Sequence, residues 1–245
     1  MITGAAVRLS IIVPAFNEEQ RIAPTLHSLA RVCADQGWKT EILVVDDGSQ
    51  DGTVALCRRL QQTLRYPVAW AVLETRPNRG KGHAVRVGML AARGEVRVMV
   101  DADGSTPADQ LPSLLAPILA GRAAVAIGSR YTGSSPGTDQ PWWRRVWSRL
   151  ANMYVQRKLV PGVRDAHCGF KAFSAAAATD LFARASVDGW AFDLEILALA
   201  LRRGHAIVEV PVRWTDDRRS RVRPFRDLRR VLRDVDRLKR SLPAS

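Results

Sequence analysis

Two acidic pairs stand where short apolar runs of the chain end. They are Asp101 with Asp103 after Val96–Val100, and Asp46 with Asp47 after Glu41–Val45. Apolar runs of this length are typical of buried strands, and ligands of open α/β sheets bind at the carboxyl ends of the strands. Two carboxylates at i and i+2 of a strand exit can hold one hard cation through their oxygens. The pattern therefore favours one site for a metal and a polyol or nucleotide.

Both acidic pairs also allow a structural interpretation. An Asp-x-Asp triplet is frequent by chance, and aspartate is a favoured residue at turns and helix caps. Asp46 and Asp47 precede Gly48–Thr53, which has the composition of a turn followed by a helix start. The residues alone leave the functional and the structural role open.

The elements that must position these residues alternate along the first half of the chain. We expect strands at Leu9–Val13, Glu41–Val45, Ala69–Leu73, Val96–Val100 and Ala123–Ile127, and helices at Glu18–Asp35, Thr53–Leu64, Lys81–Ala92 and Asp109–Ala120. Such alternation predicts βαβ units and an α/β fold with a mostly parallel central sheet flanked by helices. The less regular second half predicts helices at Pro141–Lys158, Phe192–Arg203 and Pro224–Arg240, and a strand at Ile207–Val212. The Gly- and Ser-rich stretch 133–137 is too short for a domain linker, so we predict a single domain over residues 1–245.

The composition argues against several classes of protein. The chain has 245 residues, 47% of them hydrophobic, and no apolar stretch approaches the roughly 20 residues of a membrane span. Met1–Val7 is too short and too little charged for a signal peptide, which predicts a cytoplasmic protein. Cys33 and Cys57 fall in predicted helices and are expected to fill the core. The four histidines do not cluster, which argues against a zinc site.

The net charge of +13 predicts anionic partners. Nucleic acid, acidic lipid and phosphorylated ligands all fit that charge. Most of the positive charge is arginine, which suits bidentate phosphate binding.

Further blocks of the sequence follow the order of a known family. They are Pro14–Glu18, Asp46–Ser49 with Asp51–Thr53, Asn78–Gly82, Asp101–Asp103, Gly128–Tyr131, Asp165–Lys171 and Gly189–Glu195. Together they resemble the inverting glycosyltransferases of family 2, and from about Leu9 to Asp227 the chain is similar to the branch that glycosylates polyprenyl phosphates. The Asp103–Thr106 and Cys168–Lys171 blocks are similar to those of dolichyl-phosphate β-glucosyltransferases. The resemblance implies a Rossmann-like GT-A nucleotide-sugar fold.

The resemblance also implies a donor site and a metal site. The implied nucleoside-pocket residues are Pro14, Phe16, Glu18, Val45 and Asp47. Asp101 and Asp103, completed by Ser105, would hold Mg²⁺ or Mn²⁺ against the donor diphosphate, and Ala102 between them would belong to the donor site. A metal there neutralises the charge that builds on the departing nucleoside diphosphate.

Three basic residues are candidate phosphate ligands in this resemblance. Lys81 lies in a Gly-x-Gly turn that opens a helix, where it suits an anion, although an ordinary turn lysine fits equally well. Arg130 follows a strand end and is the stronger candidate because its fork can grip two oxygens; its alternative is a plain surface arginine. Arg221 stands where the family more often has lysine, and it keeps the charge for phosphate contact.

Asp193 and Asp165, together with Arg130, form the candidate catalytic set. In the wider family the aspartate at the position of Asp193 is the usual general base, which a sugar hydroxyl acceptor requires. A phosphate monoester is already anionic near neutral pH, so with such an acceptor Asp193 would orient the acceptor or a neighbouring arginine. Asp193 and Glu195 also sit at a predicted helix start, where the macrodipole alone favours acids.

Two segments suggest contact with an anionic membrane surface. Residues 141–164 contain no acid, and their Trp143 and Trp147 share one helical stripe, which is typical of an interfacial helix but also of a helix packed on the core. From Arg218 to Arg240 there are eleven Arg or Lys against three Asp. This last helix, at about residues 224–240, could lie on anionic lipid or pack on the domain with a solvated basic face. We expect a peripheral protein on the cytoplasmic face of a membrane.

The sequence therefore predicts a metal-dependent inverting transferase that moves glucose from UDP-glucose to a polyprenyl (dolichyl-type) phosphate. One alternative is a mannosyl or other hexosyl transferase with a GDP- or UDP-sugar donor, and another is a transferase with a soluble sugar acceptor. A basic nucleic-acid-binding protein would explain the charge but not the ordered acidic motifs, which repel phosphate without a metal. We therefore expect no nucleic-acid partner.

Overall fold

A computed structural model describes residues 8–132, 153–215, 233 and 235–240 of the chain. The strands are β1 (Arg8–Ala15), β2 (Lys39–Asp46), β3 (Ala69–Glu74), β4 (Val96–Val100), β5 (Val125–Ser129), β6 (Phe170–Ser174) and β7 (Ile207–Pro211). The helices are α1 (Ile22–Asp35), α2 (Thr53–Thr63), α3 (Lys81–Ala91), α4 (Leu111–Leu119), α5 (Ala175–Arg184) and α6 (Phe192–Arg202), with a 3₁₀ turn at Ala108–Gln110. Residues 153–158 and 235–240 are also helical.

The strands form one seven-stranded sheet in the order β3-β2-β1-β4-β6-β5-β7. β1 pairs in parallel with β2 and β4, β2 with β3, and β5 with β7, whereas β6 runs antiparallel between β4 and β5. The predicted α/β fold with a mostly parallel sheet is confirmed. Successive residues Ile11, Ile12 and Val13 of β1 have no exposed surface, as expected of a strand that is covered on both faces by helices.

Most predicted elements are confirmed, with small shifts at their ends. β4 and the start of α3 coincide with the prediction, whereas β5 lies two residues later and α1 begins at Ile22 rather than at Glu18. The helix predicted from Asp109 to Ala120 was wrong at its start, because Ala108–Gln110 form a 3₁₀ turn and α4 begins at Leu111. The residues before α1 are not helical because they bind the loop after β2, as described below.

The sequence reasoning missed two elements, β6 and α5. β6 has the sequence Phe-Lys-Ala-Phe-Ser, and its lysine conceals an otherwise apolar strand. Ser174 then caps α5, because its hydroxyl accepts a hydrogen bond from the Ala177 N–H. The antiparallel β6 determines which loops meet at the site.

The expected core positions of Cys33 and Cys57 are confirmed, and residues 235–240 also contribute to the core. Cys33 and Cys57 are buried on α1 and α2, and Cys168 is buried as well. Within residues 235–240, Val235 and Leu238 are buried while the basic residues are exposed. These residues thus pack an apolar face on the protein and present a basic face to solvent. The remainder of the predicted helix 224–240, and residues 141–152 of the predicted helix 141–158, lie outside the described residues.

Candidate functional site

The carboxyl ends of β1, β2, β4 and β5 open on one edge of the sheet. Because β6 is antiparallel, its first residue, Phe170, lies at that same edge, paired with Val100 at the end of β4. The loop that leads into β6, residues 165–169, is therefore beside the loops that leave the parallel strands. The topology brings together at one edge most of the acids and bases that the sequence singles out.

Asp101 leaves β4 and meets a lysine at the start of α3. Its Oδ1 atom is covered by protein, and Lys81 Nζ lies 2.5 Å from that oxygen. Burial disfavours the charged ammonium, but the carboxylates of Asp101, Asp193 and Asp103 outweigh burial and raise the pKa of Lys81 above its ordinary value. Lys81 is therefore an enclosed cation in an acidic part of the cleft.

Two aromatic rings complete the surroundings of the Lys81 ammonium. Nζ lies 5.3 Å from the ring centroid of Trp190 and 5.9 Å from that of Phe192, within the range of a cation–π contact. Trp190 is 64% exposed. The ammonium of Lys81 is thus bordered by aromatic rings, of which that of Trp190 is exposed to solvent.

The loop that carries Asp103 and Ser105 is fixed by backbone contacts. The Ser105 N–H donates to Asp103 Oδ1 at 3.0 Å, and the Thr25 hydroxyl of α1 donates to the Ala102 carbonyl at 2.9 Å. The Thr215 N–H, beyond β7, donates to the Ser105 carbonyl at 2.9 Å. The side chains of Asp103 and Ser105 remain half-buried at the cleft.

Gly169 makes room for the Asp101 carboxylate. A Cβ atom at position 169 would lie 1.9 Å from Asp101 Oδ2, far inside any van der Waals contact. Only glycine allows the β6 entry loop to approach so closely. The glycine of the Cys-Gly-Phe-Lys block thus leaves space for the carboxylate of Asp101, which belongs to the Asp-Ala-Asp block.

The expected nucleoside-pocket residues lie along β1, β2 and the loop after β1. Pro14 and Val45 are register partners in β1 and β2, and both are buried. Phe16, just past β1, is 43% exposed. An exposed aromatic ring beside two buried strand ends is a suitable platform for a planar base.

Glu18 faces the same acidic part of the cleft. Its carboxylate accepts hydrogen bonds from Arg21 Nε at 2.8 Å and Nη2 at 2.6 Å. Burial raises the pKa of Glu18, and the nearby charges of Asp103 and Asp101 add to that effect against the opposing influence of Arg21. Glu18 is therefore close enough to the Asp-Ala-Asp triplet to respond to its charge.

Asp47 is buried and holds the loop that precedes α3. Its carboxylate accepts hydrogen bonds from the Thr75 hydroxyl at 3.1 Å, the Arg79 N–H at 3.1 Å and the Gly80 N–H at 2.6 Å. His83 Nδ1 lies 3.6 Å from the same carboxylate. Asp47 thus fixes the backbone from which Lys81 projects.

The loop after β1 is hydrogen-bonded to the loop after β2, which contains residues 47–52, and to the start of α2. Gln50 N–H donates to the Asn17 side chain at 2.8 Å, and the Glu18 N–H donates to the Thr53 hydroxyl at 2.8 Å. Asp46 accepts hydrogen bonds from the backbone of its own turn, and Asp51 accepts from Thr53 at the start of α2. The turn interpretation therefore describes Asp46 correctly, whereas no side chain caps α2 at Gly52.

Arg130 and Asp165 form a bidentate ion pair at the end of β5. Arg130 Nε and Nη2 each lie 2.8 Å from an oxygen of Asp165, and the Arg130 N–H donates to the same carboxylate. Burial alone would raise the pKa of Asp165, but Arg130 holds it below its usual range; in the same way Asp165 raises the pKa of Arg130 despite burial. The guanidinium lies 5.2 Å from the centroid of the Trp214 ring. The pair is thus a rigid, fully charged unit.

Asp193, on the first turn of α6, is bound to a buried lysine. Lys171 Nζ lies 2.5 Å from Asp193 Oδ1 and donates to the Cys168 carbonyl at 2.6 Å. Both side chains are almost fully buried. His167 lies in the loop between Asp165 and Lys171, and its residue is exposed.

Sequence reasoning missed a cluster of charges around Asp188, which connects α3 and the segment before it to the loop before α6. Asp188 binds Arg79 Nη2 at 2.7 Å and Arg86 Nη2 at 2.8 Å, and its carbonyl accepts the His83 N–H at 3.1 Å. Glu195 holds the same loop from α6 through the N–H groups of residues 186 and 187. Glu195 therefore has a structural role. Arg79 precedes α3 and Arg86 lies on it, and nothing in the sequence indicates their common partner.

The remaining candidates lie outside the described residues. Arg221 is one of them, as are Trp143 and Trp147 of the Trp-rich segment. In the described part of the chain, no helix is long and apolar enough to cross a membrane. The same residues contain no group of three or more His, Cys, Asp or Glu arranged for a metal.

Parallel strand ends, an Asp-x-Asp triplet and basic residues thus meet at one edge of the sheet, which is the edge where open α/β sheets bind ligands. The family model of glycosyl transferase family 2 matches residues 10–182 of this chain. The chain therefore belongs to glycosyltransferase family 2.

Within that family, the chain is similar to proteins named dolichyl-phosphate β-glucosyltransferase. It is 32% identical to the Dictyostelium discoideum protein over 95% of this chain and 74% of that protein. It is 36% identical to the Drosophila melanogaster protein, over 94% and 74% of the two chains, and 33% identical to the human protein, over 89% and 70%.

Solved structures confirm the GT-A fold. The chain resembles Mycobacterium tuberculosis glucosyl-3-phosphoglycerate synthase in complex with phosphoglyceric acid, with a TM-score of 0.69 and 21% identity over 98% of this chain and 82% of that one. A complex of the same enzyme with Mn²⁺, UDP-glucose and phosphoglyceric acid gives a TM-score of 0.68 and 20% identity, over 98% and 81%.

Proposed function

We propose that this protein is an inverting glucosyltransferase that transfers glucose from UDP-glucose to a polyprenyl phosphate. The observation that carries the proposal is the similarity to dolichyl-phosphate β-glucosyltransferases over about nine tenths of the chain. The Asp-Ala-Asp triplet and the blocks that surround it in the cleft lie within that similarity. The geometry of the cleft supports a donor at the β1–β2 end and an acceptor near Asp193.

In this proposal the donor nucleoside lies against Pro14, Val45 and the exposed ring of Phe16. Asp47 acts on it mainly through the loop that it fixes, because three hydrogen-bond donors of that loop already occupy most of its acceptor capacity. Arg21, three residues further along the chain, binds each oxygen of Glu18 once, and each carboxylate oxygen can accept a second hydrogen bond. Hydrogen bonds from a ribose hydroxyl would suit the Glu18 carboxylate.

The residues at the end of β4 fit a divalent cation. Asp101 and Asp103 offer hard oxygen ligands, and the covered Oδ1 of Asp101 already has a cationic group beside it. Two carboxylates with ligands from a substrate diphosphate are the usual arrangement for Mg²⁺. When bound, such a cation would neutralise charge on the departing nucleoside diphosphate. Ser105 is placed on the same loop as a third candidate ligand.

On the acceptor side, the chain supplies positioned charge rather than a free base. Lys171 binds Asp193 at 2.5 Å, and Arg130 binds Asp165 through two nitrogens. A phosphate monoester needs little deprotonation near neutral pH, since its second pKa is about 6. Nη1 of Arg130 is the guanidinium nitrogen that Asp165 does not engage, and it can hold an acceptor phosphate oxygen. That oxygen would attack the anomeric carbon in line, with inversion, as the nucleoside diphosphate leaves.

Calorimetry with nucleotide sugars and a transfer assay test this proposal. UDP-glucose should bind in the presence of Mn²⁺, and GDP-mannose should bind at least about tenfold, or ~1.4 kcal/mol, more weakly. Radiolabelled glucose should move to a short-chain polyprenyl phosphate. A reversed donor preference would make the protein a mannosyl transferase, and transfer to a soluble sugar alone would remove the lipid acceptor.

Removal of the metal or of one ligand gives a second test. Asp103→Ala should abolish turnover without loss of the folded state, because the half-buried Asp103 has few partners besides its own loop. Excess EDTA should abolish turnover of the unchanged protein. Full activity in either experiment would contradict the metal role.

We also propose that the protein works at a membrane surface, since a lipid phosphate is presented there. The basic face of residues 235–240 and the Trp- and Arg-rich sequence 141–152 support this placement.

A further inference from the structure

Lys81 is bound to the carboxylate of Asp101, which is one of the two carboxylates proposed as metal ligands. Its Nζ lies 2.5 Å from Asp101 Oδ1, and that oxygen is covered by protein. An ammonium and a divalent cation on one buried oxygen repel each other strongly, because protein screens their charges less than water does. The two cations are therefore rivals for Asp101.

The backbone that carries Lys81 is held on two sides, whereas the long side chain of Lys81 has several rotatable bonds. Asp47 holds the N–H groups of Arg79 and Gly80 on one side of this backbone. On the other side, Gly80 and Gly82 pack so closely on the loop at residues 187–188 that a Cβ at either position would lie within 2.6 Å of a carbonyl oxygen there. The Lys81 side chain is the more adaptable part: its ammonium lies 5.3 Å from the centroid of the exposed Trp190 ring and 5.9 Å from that of the buried Phe192 ring.

We propose that the Lys81 ammonium and the divalent cation compete for Asp101, and that the donor diphosphate ends the competition by taking the ammonium as its own partner. This inference rests on the proposed function, since it presumes a nucleoside diphosphate and a metal. Lys81 then has two successive partners: first Asp101, then the diphosphate. The consequence is that metal and nucleotide bind weakly alone and much more strongly together.

Titration of Lys81→Met with Mn²⁺ alone tests the competition directly. Methionine keeps most of the side-chain volume and removes the charge. Without nucleotide, Mn²⁺ should bind Lys81→Met about tenfold more tightly than the unchanged protein, or ~1.4 kcal/mol. UDP alone should bind the variant more weakly. The factor by which UDP improves Mn²⁺ affinity should therefore be smaller in the variant.

Two further variants separate this exchange from a general loss of positive charge. Lys39→Met removes an exposed lysine at the amino end of β2, the end remote from the strand exits, and should leave Mn²⁺ affinity unchanged. Lys81→Arg keeps a charge that can reach Asp101 and should retain weak Mn²⁺ binding. If Lys81→Met binds Mn²⁺ no better than the unchanged protein, the competition is overturned.

Fluorescence of the unchanged protein gives a measurement that does not depend on the folding of a Lys81 variant. Trp190 faces the ammonium, and its emission is obtained by difference from Trp190→Phe. Mg²⁺ with UDP should change that emission, whereas Mg²⁺ alone should not; an unchanged signal overturns the exchange. If the unchanged protein binds no Mn²⁺ even with UDP, the metal role in the proposed function fails as well. Normal Mn²⁺–UDP binding with no effect of Lys81→Met overturns the exchange alone.

Discussion

The carboxylate of Asp101 lies against the Cα of Gly169, although the two residues belong to different loops of the site. Asp101 leaves β4 and Gly169 enters β6, and these strands are antiparallel neighbours. The contact is so close that a single added methyl group has no room. The position of the proposed metal ligand therefore depends on the loop that carries Asp165 and Cys168.

Gly169→Ala should displace the Asp101 carboxylate while the sheet remains intact. Because misplacement of a reacting group by about 1 Å can cost on the order of 10²-fold in rate, we expect at least that loss in kcat. Gly121→Ala is the matched control: Gly121 has a φ of +66° and open space around it. That variant should lose about 1 kcal/mol of stability through its backbone and keep its kcat. Full activity of Gly169→Ala would show that Asp101 can act from another position.

Removal of Lys171 should destabilise the fold more than removal of both members of its pair. Lys171→Met deprives the buried carboxylate of Asp193 of its directly bound cation, which costs about 3–5 kcal/mol in unfolding free energy. Adding Asp193→Leu should restore much of this loss, because the unpaired charge is then gone. Urea unfolding of the two variants measures the difference. A double variant that is no more stable than Lys171→Met would contradict the ion-pair explanation.

The Arg130–Asp165 pair should make stability fall in acid. The pKa of Asp165 is lower in the folded protein than in the unfolded chain, so the folded state binds fewer protons and the pair stabilises it at neutral pH. This stabilisation is complete above the unfolded value of about 4 and is lost as the pH falls through the folded pKa. Unfolding experiments at neutral pH and near pH 3 should show that the advantage over Asp165→Asn shrinks in acid.

Arg130→Met provides the control for that pH dependence. Arg130→Met removes the cause of the lowered Asp165 pKa and keeps the carboxyl group. The decrease of its unfolding free energy between neutral pH and pH 3 should therefore be smaller than in the unchanged protein, as it should be for Asp165→Asn. If either variant keeps the full slope, another group governs the acid response.

The Trp-rich segment should carry binding to anionic vesicles. Each basic residue near an anionic surface contributes about 1 kcal/mol, and this share fades with salt. The protein should sediment with anionic vesicles at low salt and much less with neutral ones. Trp143→Ala with Trp147→Ala should weaken vesicle binding and lipid-acceptor turnover together, while UDP-glucose affinity stays the same. A folded double variant that binds vesicles normally would exclude this segment as the docking surface.

The sequence alone determined where the strands end and which acids follow them. Apolar runs and their turns are local patterns, so β1 to β4 and the helices between them could be predicted, together with the Asp101–Asp103 pair. The order of the blocks also indicated the family. Each of these signals lies within a few consecutive residues, where periodicity and turn chemistry act.

The tertiary structure alone decided which of these residues meet. β6 could not be recognised because Lys171 interrupts its apolar pattern, and only the antiparallel pairing of β6 brings Gly169 to Asp101. Likewise, the binding of Asp188 to Arg79 and Arg86 joins residues about a hundred positions apart. Such contacts depend on sheet order and close packing, which no local pattern encodes. For the same physical reason, the contacts of Lys81 with Asp101 and with the rings of Trp190 and Phe192 follow from the fold and not from the turn in which the lysine stands.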